Sequence, residues 1–316
     1  MTKSNDTEIK DTILKNRPNI AQSTLKTYMS SIRNVAKKIG VELKTIQDIV
    51  KHNKEIFNSL TDSNLNDRKT KLSAFIVALD DKNNSITKEV DEIISNYREK
   101  VKVDKAKNTE RETSQELTES QKKNYIPWSE VESIYKKLKI EAEPLFKLEE
   151  LNVAQFRKLQ DFVLLSLYVL IDPRRSLDYT AFKIKNVDKE KDNYLLKKGK
   201  KSYFVFNQYK NSSRLGAQQI DIPNSLRNII VKWTEKNPFD YLLVNSLGKP
   251  IGQSKLNEYL NQIFKKKIGS SMLRHIYLTH KYGEVNLGDL KETTENMGSS
   301  NIDRTLSYVS KAHGKK

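Results

Sequence analysis

The chain has 316 residues and a net charge of +17, with 57 Lys and Arg against 40 Asp and Glu, a length that holds two domains with a core in each. It has no cysteine and four scattered histidines, which excludes a disulfide framework, a zinc–cysteine site and a His-Glu-x-x-His motif. No run of about 18 apolar residues spans a membrane. The basic balance points to a polyanionic partner, most often nucleic acid, although a merely soluble basic protein has the same composition. The opening Met1-Thr2-Lys3-Ser4-Asn5 lacks the apolar stretch of a secretory signal, so an intracellular protein is expected, in the cytoplasm or nucleus of a host cell.

The first hundred residues read as helical, with no strand pattern. Ser23 is placed to cap a helix over Thr24–Lys38, and Gly40 to end it. Leu25, Tyr28, Ile32 and Val35 share one face of that helix. A second helix is expected over Asn66–Leu79, with Leu72, Phe75, Ile76 and Leu79 inward, and a third over Thr87–Val101. Lys26, Lys37, Lys38, Arg68, Lys69 and Lys71 are candidates to touch phosphates, and each is equally accounted for as part of a solvated helix face. The mixed-charge stretch 103–123 offers little to bury and reads as a linker. The expected division is therefore a helical domain at 1–102, a linker at 103–123 and a second domain at 124–316.

Order resumes at Tyr125-Ile126-Pro127-Trp128, where Ser129 and Glu132 have capping-box spacing. The most apolar helix is expected over Val153–Ile171, buried on most sides and ended by Pro173. Arg174-Arg175-Ser176-Leu177-Asp178 follows directly. Strand-like runs come next at Asn193–Leu196, Tyr203–Phe206 and Gln219–Ile222, with Lys210 between the last two. Helices are then expected over Ser225–Trp233 and Lys255–Lys266. The chain closes with Ser271-Met272-Leu273-Arg274-His275, then Met297-Gly298-Ser299, then Tyr308, nine residues past Ser299.

These last pieces, in this order and spacing, resemble the second signature box of the tyrosine recombinases, the DNA integrases and site-specific recombinases. In that family a Leu-Arg-His on a helix precedes a Leu-Gly-His turn, and a nucleophilic tyrosine lies nine residues after the turn's histidine. Here Leu273-Arg274-His275, Met297-Gly298-Ser299 and Tyr308 occupy those places. The first box, an arginine followed three residues later by an acid, is matched by Arg175 and Asp178. Arg174 is the alternative register, and it loses the acid. The family's catalytic lysine sits in a hairpin turn, and Lys210 is its match, with Lys197, Lys198, Lys200 and Lys201 in an earlier turn.

The resemblance implies a mostly α chain with a small antiparallel β-sheet, a helical core-binding domain followed by an α+β catalytic domain. It implies DNA breakage and rejoining through a 3′-phosphotyrosine at Tyr308, with no metal and no ATP, by a tetramer on double-stranded DNA. Arg175, Arg274 and Lys210 are the implied catalytic partners, and Arg174 and His275 are expected near the DNA. Two positions depart from the pattern. Ser271 stands where His or Lys is usual, and Ser299 where His or Trp is usual. These departures keep open a catalytically reduced DNA-binding protein, and a topoisomerase of type IB uses the same chemistry. The Pro-Arg-Arg form of the first box points to a mobile element or a large DNA virus as the source.

Overall fold

The structure, a computed structural model, describes residues 7–80, 87–113, 117–282, 287–299, 302 and 305. The chain separates into two compact units, 1–113 and 114–316.

Among its described residues the first unit has helices and no strand. Its elements are α1 (Thr7–Asn16), α2 (Gln22–Ile39), α3 (Ile46–Lys51), α4 (Asn53–Ser59), α5 (Leu65–Leu79) and α6 (Lys88–Thr113). The apolar face expected on α2 is turned inward, with Leu25, Ile32 and Val35 buried beside Leu72 and Phe75 of α5. Gly40 ends α2 in the left-handed region at φ 74°, a conformation that costs a residue with a Cβ about 1–2 kcal/mol. Ser23 is not the cap; α2 begins at Gln22 with Ala21 as its N-cap residue and no side-chain cap bond.

The linker expected from residue 103 is helix instead. α6 runs on to Thr113, because Asp104 is 1% exposed and forms a bidentate pair with Arg68, through Nε at 2.5 Å and Nη2 at 2.8 Å. Arg68 also donates to the carbonyls of Thr61 and Ser63. A guanidinium so committed, 8% exposed, is a strut of the bundle and not a phosphate contact, which corrects that expectation. Lys26, Lys37 and Lys69 remain exposed, while Lys71 pairs with Asp67 and Lys38 donates to the Ser59 carbonyl.

The second unit contains α7 (Glu119–Asn124), α8 (Trp128–Ala142), a 3-10 turn (Glu143–Lys147), α9 (Val153–Val169), α10 (Ser176–Tyr179), β1 (Tyr194–Lys198), β2 (Lys201–Phe206), α11 (Ser212–Leu215), β3 (Gln218–Asp221), α12 (Asn224–Lys236), α13 (Gln253–Phe264), α14 (Ser270–Tyr282) and α15 (Leu287–Asn296). α7 also falls in the expected linker; its start is fixed by a capping box between Thr118 and Gln121. Ser129 lies inside α8, which starts one residue earlier, and Glu132 accepts from the Trp128 indole instead.

α9 is the spine of this unit. An Asn152–Gln155 capping box starts it, and Leu159 and every residue from Phe162 to Leu165 are buried. Each such side chain contributes about 1.5–3 kcal/mol on burial. α8, α12 and α13 pack around it.

The sheet is antiparallel in the order β1-β2-β3, with Tyr194 opposite Val205 and Phe206 opposite Gln218. Phe204 and Phe206 point into an aromatic cluster with Tyr179 and Phe182, which seats the sheet against the turn after α9. Among the described residues no helix is long and apolar enough to cross a membrane.

Candidate active site

The site is built where α9 ends. Leu170 closes the helix, Pro173 offers no N–H to continue it, and the chain passes Arg174 and Arg175 before the short α10. Arg175 is extended (φ −70°, ψ 150°), so the two neighbouring side chains take different directions. Arg174 turns inward and is 0% exposed. Its Nε donates to Asp178 at 2.8 Å, and its Nη1 donates to Gln218 of β3 at 3.0 Å and to the Asn296 carbonyl at 2.6 Å. The guanidinium lies 4.0 Å from the centroid of the Phe206 ring. The strand register explains this, since Phe206 and Gln218 are paired across β2 and β3.

Arg175 is partly exposed and donates to the Gly298 carbonyl at 3.0 Å. The same carbonyl accepts from Asn211 at 2.7 Å. Asn211 follows Lys210, which is exposed in the connection between β2 and β3. That connection is also held by buried Asn193, which bonds the Asp178 carbonyl and both backbone groups of Gln208. One carbonyl therefore ties the Arg175 turn, the Lys210 turn and the Met297-Gly298-Ser299 turn together.

The last of these turns is a helix stop. Gly298 has φ 65°, its N–H bonds Glu295, and the Ser299 N–H bonds Thr294. A Cβ on Gly298 would lie 2.8 Å from Nη2 of Arg174 and 3.2 Å from the Tyr209 ring. Ser299 is 5% exposed and its hydroxyl faces Thr305 at 3.5 Å.

Arg274 comes from α14 and is 2% exposed. Burial pushes the Asp178 carboxyl above its ordinary range, opposed first by Arg174 and then by Arg175 and Arg274. The helix that carries Arg274 is itself tied to the turn after α9 by side-chain bonds. Asp172 reinforces the junction, accepting from the Tyr277 hydroxyl and from Lys281 of α14, and from Asn296.

On α14, Ser271 is exposed and His275 half-buried, and both line a cleft of about 320 Å³. His275 meets Gln121 at 3.2 Å. Tyr308 lies outside the described residues, though Ile302 and Thr305 before it are helical. Arg175, Arg274 and the turns of Lys210 and Ser299 are brought together here, while Lys26 and Lys69 belong to the first unit. Sequence reading misses Asp172, Asn193, Asn211 and Gln218. Asn and Asp beside turns are the available signal, but their partners lie up to 124 residues away. Among the described residues no group of three or more His, Asp or Glu could hold a metal ion.

The architecture has solved counterparts. A lambda integrase dimer bound to a COC′ core site superposes with a TM-score of 0.50 at 13% identity, covering 95% of this chain and 93% of that one. The chain has the tyrosine-recombinase fold. A lambda integrase tetramer bound to a Holliday junction gives the same TM-score at 13% identity, over 98% of this chain and 77% of that one. No protein-family model matches the sequence, and no curated protein matches it either. At this identity the likeness speaks for the recombinase fold alone, and any chemistry has to be argued from the side chains.

Proposed function

We propose that this chain is a site-specific DNA recombinase or integrase that cuts and rejoins duplex DNA through a tyrosine. The observation that carries the reading is the shared Gly298 carbonyl, which joins the Arg175, Lys210 and Ser299 turns, with buried Arg274 on α14, the helix that Asp172 ties to the end of α9. A phosphodiester under attack gains charge on its nonbridging oxygens. Guanidinium groups answer that charge with permanent, paired N–H donors. Arg175, partly exposed, and Arg274 take this role. Arg174 is 0% exposed, with its Nε and Nη1 committed to internal bonds, and is not assigned this role.

In the proposed step, the Tyr308 hydroxyl loses its proton to water as its oxygen bonds to phosphorus, and the bond to the 5′ oxygen breaks. Lys210 gives that oxygen its proton. The phosphotyrosine keeps the energy of the broken bond, so rejoining is the same step reversed and needs no ATP. The first unit adds a basic surface: α2 carries exposed Lys26, Arg33 and Lys37 on one side and has no acid among its 18 residues. Assembly as a tetramer on two duplexes, and an origin in a mobile element or virus, belong to the same proposal.

A second reading has its own observation. Ser299 is 5% exposed, its hydroxyl accepts from Thr305 at 3.5 Å, and a serine cannot relay a proton as an imidazole does, so a binding protein with reduced catalysis fits that. Strand exchange separates the readings. Two labelled duplexes carrying the DNA that borders the protein's own gene are incubated with it, and joined products are measured. Joint products are expected. Relaxation of supercoils without joining indicates a topoisomerase, and a mobility shift with neither indicates binding alone.

A further inference from the structure

The cleft beside Arg274 is lined by nine residues, none of them acidic, and Lys267 is its only permanent cation. The carboxamides around it have their oxygens turned to the backbone. Asn124 accepts from the Lys267 N–H at 2.9 Å, Asn257 from the Ser270 N–H at 2.8 Å, and Gln121 from the Thr118 N–H at 2.8 Å. With the Gln121 oxygen so used, its amide nitrogen is the atom that meets Nε2 of His275, at 3.2 Å. What is left to line the cleft is the Lys267 ammonium and the hydroxyls of Ser120 and Ser271, each of which can donate. Lys267 is itself exposed, in a run of three exposed lysines between α13 and α14.

From this we infer that the cleft is an oxyanion subsite, and that Lys267 holds a DNA backbone phosphate next to the one undergoing reaction. This rests on the function proposed above. An acid-free cleft with one ammonium disfavours a cation and suits a group with acceptors on every side. The first turn of α14 then meets the DNA backbone through Lys267 and Ser271, one turn ahead of Arg274.

The test uses the full chain and its salt dependence of duplex binding, with Lys267→Gln, Lys267→Arg and Ser120→Glu as variants. Loss of one phosphate contact lowers the slope of log K against log salt by about 0.9, and this is expected of Lys267→Gln. Lys267→Arg keeps the slope, and Ser120→Glu, which brings a carboxylate to the cleft, weakens binding. In a second arm, inorganic phosphate is compared with chloride at equal ionic strength for its effect on the melting temperature. An unchanged slope in Lys267→Gln, with wild type binding DNA, overturns the inference. Stabilisation by inorganic phosphate through Lys267 with an unchanged DNA slope also overturns it, and makes the cleft a site for a free oxyanion. Failure of the wild type to bind any duplex overturns the proposed function first, and this assignment with it.

Discussion

Arg174 and Arg175 are neighbours in sequence and opposites in environment. The first is sealed between Phe206, Asp178 and the Asn296 carbonyl, and the second reaches the edge of the site. Gly298 is what lets Arg174 fit. In Gly298→Ala the left-handed φ costs about 1–2 kcal/mol, and the new methyl crowds Nη2 of a guanidinium that is anchored through its Nε and Nη1. We expect a total loss of more than about 2 kcal/mol, read as a drop in thermal midpoint, together with weakened DNA cleavage. The sequence favours Arg175 over Arg174 as the site arginine, because only Arg175 has an acid three residues on. What was not legible is that this acid bonds Arg174. Spacings of three and four both suit a helical turn, and only the sheet decides which guanidinium is buried. A second prediction concerns Asp161. Burial pushes its carboxyl up to about 6, opposed by Arg157. The native state then holds this proton to higher pH than the unfolded chain does, so stability falls as pH rises from about 4 to about 6 and stays lower above that. Asp161→Asn removes the effect. Its melting temperature relative to wild type is expected to rise between pH 4 and pH 7, by the equivalent of about 3 kcal/mol at most. A constant difference across that range contradicts the assignment.

At the level of elements, α6 depends on a partner 36 residues away in sequence. Arg68 and Asp104 form a buried pair, and the Arg68 hydrogen bond holds the Asp104 carboxyl below its ordinary range. Removing Arg68 leaves the buried Asp104 charge with only Lys100, at 3.7 Å, so Arg68→Met is expected to cost about 3 kcal/mol, the low end for a broken buried pair. A lowered carboxyl adds stability that is present above its unfolded value and is lost as pH falls through the native one. Wild type should therefore lose more stability on acidification than the variant does, which helical circular dichroism on heating at each pH measures. This pair also explains why the stretch after residue 102 reads as a linker. Mixed charge with few apolar residues is the composition of a solvated segment, and nothing local marks Asp104 as buried. α9 is the opposite case. Its apolar run, capping residue and terminating proline are all local, and its start at Val153 is read directly. The three strands were likewise legible to within two residues at each end, because alternation and flanking turn residues are local signals.

For the whole molecule, two units carry different parts of the proposed task, with an acid-free cationic helix in the first and the convergent arginines in the second. The order of the boxes along the chain was visible beforehand, while the polar struts that join them, Asp172, Asn193, Asn211 and Gln218, were not. Each of those is an ordinary turn residue until a partner from a distant segment arrives. The central claim is that Tyr308 acts within the Arg175, Lys210 and Arg274 site. Its most direct measurement is covalent trapping, with chelator present, on a nicked duplex from the DNA bordering the gene, followed by denaturation and peptide mapping of protein-linked DNA. The account predicts an adduct on Tyr308 that is absent in Tyr308→Phe and strongly reduced in Arg175→Ala and Arg274→Ala. An adduct on another residue, or none under conditions where the protein holds that DNA, contradicts it.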